Sequence, residues 1–169
     1  MGIGDEYVSF LVEKTDHKSI SRQYCLPKNT YDLVMIKENI FELCEEVTLK
    51  LRRMNKCARI IGLSLSGDKY YYETKNTGNY FSDSAELFRV CKYFLKKWNP
   101  VIVRKISIWV TDLVDDNFTP LSFFEYDNKI KVVQKAVDKI NDKFGDYTIR
   151  KASLMRALKL KTVPNGFSF

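Results

Sequence analysis

ARIIGLSLS, residues 58–66, is apolar at every second position: Ile61, Leu63 and Leu65 fall on one side, Gly62, Ser64 and Ser66 on the other. A period of two is that of a β-strand, here with one greasy face and one of very small side chains. Gly67-Asp68 then supplies a tight turn into KYYYETK, residues 69–75. Its tyrosines and threonine favour extended backbone, so the two stretches read as a hairpin.

The neighbouring segments extend this pattern in both directions. Upstream, Lys18 to Leu26 reads as a strand closed by the turn residues Pro27-Lys28-Asn29. Between it and the hairpin, Ile36, Ile40, Leu43, Val47, Leu51 and Met54 recur at helical spacing, with acids early and basic residues late as the helix dipole favours. Downstream, NTGNYFSD reads as a polar loop. A second helix follows, with Ser82 or Ser84 as N-cap, a stripe of Leu87, Cys91, Phe94 and Trp98, and Asn99-Pro100 as its breaker. VIVRKISIWVT, residues 101–111, alternates again, placing Ile106, Ile108 and Val110 opposite Lys105, Ser107, Trp109 and Thr111.

The order is β-α-β-β-α-β, an α+β fold. Two amphipathic helices cover only one face of a four-stranded antiparallel sheet, so the other face is expected to stay open to water or to a ligand. A connector containing TPLSFFE leads to a third helix from about Lys129, with a stripe of Ile130, Val133, Val137 and Ile140, ended by Gly145. With a short helical turn in YTIRKASLM this makes a C-terminal helical extension, and LKTVPNGFSF reads as a tail.

Composition bounds what such a domain can do. With 169 residues, 45% hydrophobic and 29% charged, the chain suits one globular domain and an appendage. A net charge of +7 and a pI near 9.1 draw it towards polyanions. No apolar run approaches the roughly 20 residues of a bilayer span, and the N-terminus lacks a signal-peptide layout, so a cytoplasmic protein without membrane contact is expected. Cys25, Cys44, Cys57 and Cys91 form no C-x-x-C pair and His17 is the only histidine; reduced, mostly buried thiols are expected rather than a metal site.

KSISRQYCLP, the strand-helix-hairpin through ARIIGLSLS, VRKISIWVTDL and the later KFGDYTIRKASLM together resemble the C-terminal part of Y-family translesion DNA polymerases. They are most similar to the bacterial UmuC and ImpB/MucB/SamB-like branch. The resemblance runs from about residue 5 to residue 155 and rests on order and spacing rather than on any single motif. It implies a little-finger (polymerase-associated) domain, which lies across the DNA major groove and helps to hold template and primer. On this basis residues 1–17 are a linker from the thumb, 18–116 the little finger, 117–128 a connector, 129–155 the helical extension and 156–169 the tail.

The resemblance further implies duplex contact, mostly through phosphates, by Lys18, Ser19, Ser21, Arg22, Ser64, Arg104 and Lys105. A position that is basic in some relatives is Trp109 here, which brings no charge. Nucleotidyl transfer in that family belongs to acidic residues of a palm domain that hold two metal ions, expected to be Mg²⁺. Nothing ahead of Lys18 is long enough to be a palm, so this chain is expected to be a non-catalytic piece of a DNA polymerase with no cofactor of its own. Asp112, Asp115 and Asp116 read as a solvated strand exit. Leu121, Phe123 and Phe124 of PLSFF resemble the peptide by which such polymerases dock on the sliding clamp, although Pro120 stands where that peptide begins with Gln. Two other readings stay open: a ferredoxin-like module for single-stranded RNA, kept alive by Trp109 and the tyrosines at 70–72, and a pure protein-interaction domain.

Overall fold

A computed structural model describes residues 18–118 and 125–152. The elements run β1 (Ser19–Thr30), α1 (Leu33–Arg53), β2 (Lys56–Gly67), β3 (Tyr70–Phe81), α2 (Ser84–Lys97), β4 (Val103–Asp115) and α3 (Glu125–Phe144), with a short 3-10 turn at Asp116–Phe118. All strand pairs are antiparallel, in the order β1-β4-β2-β3. β1 and β4, which carry Arg22, Arg104 and Lys105, are therefore neighbours, β1 on one edge and β4 inside.

The core forms where the period-two strands meet. Ile61, Leu63 and Leu65 of β2 pair with Val110, Ile108 and Ile106 of β4, and all six are buried. α1 packs over β1 and β4 and α2 over β2 and β3, both on this one face. Ile36, Ile40, Leu43 and Val47 of α1 share one buried cluster with Leu87, Cys91 and Phe94 of α2. Cys44, Cys57 and Cys91 are buried and all four cysteines are free thiols.

Several boundaries depart from the sequence reading. The N-cap of α2 is Asp83, whose carboxylate accepts from the Ala85 and Glu86 amides, so neither Ser82 nor Ser84 caps it. NTGNYFSD is not a loop up to Phe81: β3 continues through it, with Gly78 at φ 80° and the Thr77 hydroxyl donating to the Arg59 carbonyl. Pairing with β2 overrides the polar composition. α3 starts four residues before Lys129 and ends, as expected, at Gly145, whose φ of 109° suits a residue without Cβ. Val133 of its stripe remains exposed. Residues 1–17, 119–124 and 153–169 lie outside the described residues, and with them the linker and tail assignments.

The segment from α3 onward is held to α1 by charge. Arg52 Nε lies 2.6 Å from Asp138, Arg53 pairs with Asp142 and Asp146, Lys151 with Glu45, and Arg150 with Glu42 at 3.6 Å. Glu46, also on α1, accepts a hydrogen bond from the Tyr24 hydroxyl and pairs with Arg22 at 3.4 Å. Burial holds the Glu42 and Glu46 carboxyls above the usual carboxylate range, with their basic partners pulling the other way.

Two predictions test this account. Leu63→Ala should cost about 2–5 kcal/mol, while Ser64→Ala, one residue on and facing outward, should stay within about 0.5 kcal/mol; urea unfolding measures both, and equal losses would deny the one-sided core. An acid with a raised folded-state pKa binds its proton more tightly when folded, so its contribution to stability is greatest at low pH and is lost as pH rises above about 4.5. Glu42→Gln removes that loss. Its stability relative to wild type should therefore improve between about pH 4 and about pH 7, and a change of the opposite sign would mean that the Arg150 pair outweighs burial.

Candidate nucleic-acid interface

Because paired residues in an antiparallel sheet point the same way, the register maps the uncovered face row by row. From β1 to β3 the rows are Ser19, Thr111, Ile60, Asn76; Ser21, Trp109, Gly62, Thr74; Gln23, Ser107, Ser64, Tyr72; and Cys25, Lys105, Ser66, Tyr70. No position in these rows is Asp or Glu, and the single charge is Lys105.

Four of the residues expected to touch DNA are thus brought together on this face: Ser19, Ser21, Ser64 and Lys105. Arg104 stands beside it for a different reason. Val103 and Lys105 of β4 pair with the adjacent Gly67 and Ser66 of β2, so Arg104 is the extra residue of a β-bulge and is exposed. Lys18 is exposed just ahead of β1. Among the described residues, Lys18, Arg104 and Lys105 have no carboxylate partner.

Arg22 is a correction. It pairs with Ile108, and its neighbours in alternation, Ile20 and Tyr24, are buried at 2% exposure each. No bulge interrupts β1 between Ser19 and Cys25, so Arg22 belongs to the helix-covered side and meets Glu46 there. The open-face expectation for it fails because a long side chain can leave a buried row at its rim and carry its charge to a partner on α1. The acids at the end of β4 are likewise partnered: Asp112 with Arg59, Asp115 with Lys56, and Asp116 with the Cys57 thiol and Lys131. Leu121, Phe123 and Phe124 fall outside the described residues.

The face also carries an aromatic stack, built from Trp109 and two of the tyrosines at 70–72. Trp109 lies against β2 at Gly62, where a Cβ would come within 2.0 Å of the indole Cε2. Tyr72 stacks on Trp109, with centroids 5.2 Å apart and planes 24° apart, and Tyr70 stacks on Tyr72 at 6.5 Å. The signal in the sequence was the alternation of Tyr70 and Tyr72, together with a glycine at the β2 position that the register sets opposite Trp109.

Fold and face together define a one-sided α+β domain in which, among the described residues, one sheet face is left uncovered and its four rows hold no carboxylate. The sequence profile described as the impB/mucB/samB family C-terminal domain matches residues 17–123. The chain belongs to that family, and its fold matches the little-finger domain of Y-family DNA polymerases. A curated DNA polymerase IV of Pelotomaculum thermopropionicum is 30% identical over 141 residues, covering 80% of this chain and 35% of that protein. Another, from Acetivibrio thermocellus, is 28% identical over 147 residues, covering 82% and 37%. The chain therefore spans about a third of the length of these relatives. A solved Y-family DNA polymerase chimera shares the fold with a TM-score of 0.50 at 17% identity, over 59% of this chain and 30% of that one.

Gly62→Ala should cost about 1–3 kcal/mol by overpacking against the indole. In a Trp109→Ala background the same substitution should be neutral or better, since glycine in a strand interior is itself unfavourable by about 0.5–1 kcal/mol. A double-mutant cycle by urea unfolding that shows simple additivity would deny the contact.

Proposed function

We propose that the uncovered face holds the template–primer duplex of a translesion DNA polymerase through its phosphates, and that the nucleotidyl transfer itself, with its Mg²⁺ ions, belongs to a palm domain of the whole protein. The observation that carries this reading is the absence of any carboxylate from the face rows, around Lys105 and beside exposed Arg104. A polyanion meets no like charge there. The serines are short, so a phosphate backbone approaches the sheet closely, and their hydroxyls donate hydrogen bonds without reading bases. That suits a polymerase domain that must accept any sequence and distorted templates. The family and the DNA polymerase IV relatives support it. Among the described residues no helix is long and apolar enough to cross a membrane, and a cytoplasmic site of action is part of the same proposal. Docking on a sliding clamp through Leu121, Phe123 and Phe124 is a separate proposal that the described residues do not address.

Anisotropy titration of a labelled duplex with a recessed end should give an affinity that falls steeply between about 50 and about 200 mM salt. Arg104→Ala/Lys105→Ala should weaken binding and lower the log–log salt slope by about 2, near 0.9 for each lost phosphate contact. Arg22→Ala should leave affinity within about twofold, because its charge is spent on Glu46. A flat salt dependence, or a double variant that binds like wild type, would sink the proposal.

A further inference from the structure

Phosphate binding accounts for the serines and cations of the open face but not for its rings. Trp109, Tyr72 and Tyr70 make a row of near-parallel aromatics running from the centre of the sheet to the β3 edge, each pair of planes 24° apart. Tyr72 and Tyr70 are 55% and 69% exposed, which is far more than a sheet-stabilising pair needs to be. The indole gains its place only because position 62 is glycine: three of its atoms lie within 2.5 Å of where a Cβ would stand. The other tryptophan, Trp98, is buried in the core.

We propose that this shelf stacks unpaired bases of single-stranded DNA adjoining the duplex, a ligand distinct from the duplex backbone. The inference rests on the DNA-binding reading above and adds a second binding mode to it. Flat, sequence-tolerant aromatic surface is what binds a base whose π-face is free, and every base has one. A closed duplex keeps those faces stacked internally and offers them only at its ends. The shelf also has the charge that a strand's phosphates require: Lys105 shares a row with Tyr70, and no carboxylate occupies the rows around it. Cation attraction and base stacking on one face are the two components of sequence-independent single-strand binding.

The two components separate by experiment on the full chain. With a labelled oligo-dT of about 12 nucleotides, wild-type protein should bind with quenching of its tryptophan emission, since Trp109 is partly exposed and Trp98 is buried. Trp109→Leu/Tyr72→Leu should lose about tenfold or more in oligo-dT affinity, keep the wild-type salt slope, and bind a blunt duplex within about twofold of wild type. Circular dichroism establishes that the variant is folded; the quenching in wild type is an independent readout that needs no variant. Unchanged oligo-dT affinity in a folded variant, or binding without quenching, would overturn the shelf while leaving the phosphate reading intact. Failure of wild type to bind either DNA would overturn both. Tighter binding of oligo-U than of oligo-dT would overturn the assignment to DNA in favour of RNA.

Discussion

Ile61, Leu63 and Leu65 on β2 stand opposite Val110, Ile108 and Ile106 on β4 beneath α1 and α2, and a strand's period of two then commits every residue between them to the other side. Each such side chain gains roughly 1.5–3 kcal/mol by burial. A slip of either strand by one residue would expose its three at once, a loss of roughly 5–9 kcal/mol that is comparable with the whole stability of many domains. The register is thus set by the core, and the open face inherits its arrangement. Ser64, Ser107 and Lys105 lie where they do because Leu63, Ile106 and Ile108 cannot lie anywhere else.

The same constraint explains which parts of the structure were legible in the sequence. β2 and β4 alternate strictly around their buried residues, so the faces of Ser64, Lys105 and Trp109 follow from spacing alone. Arg22 departs from the open-face expectation because a cation's charge does not decide the side on which alternation places it. Ile20 and Tyr24 carried the better signal, and the partner that makes Arg22 tolerable on the covered side, Glu46, is contributed by a different element. The bulge at Arg104 and the continuation of β3 through Thr77 and Gly78 are properties of pairs of strands. They depend on which strand lies alongside, and the strand order β1-β4-β2-β3 is not written in any single segment.

The glycine at position 62 links core and surface. On the covered side its neighbours Ile61 and Leu63 fill the interior; on the open side its missing side chain lets the Trp109 indole settle against the β2 backbone and meet Tyr72. Serine at the same place would have kept the face small but displaced the ring. The face therefore combines two kinds of attraction that respond differently to conditions. The part due to Lys105 and Arg104 weakens with salt as counterions compete, and the part due to stacked rings does not.

Many of the acids are taken up by cations away from the open face. The acids of α1 are engaged on the helix side: Glu42 with Arg150, Glu45 with Lys151, Glu46 with Arg22. Asp138 and Asp142 of α3 take up Arg52 and Arg53 on the same side. Asp112 and Asp115 are paired at the far end of β4. Cations there meet carboxylates, whereas Lys105 on the open face meets none among the described residues. The helices keep cations of their own, among them Lys92 and Lys96 of α2 and Lys135 and Lys139 of α3, so in a chain of net charge +7 charge alone would draw a polyanion to either side. On the reading proposed above, what distinguishes the open face is the set of small residues and exposed rings that lets a nucleic acid approach it, with no carboxylate in its four rows.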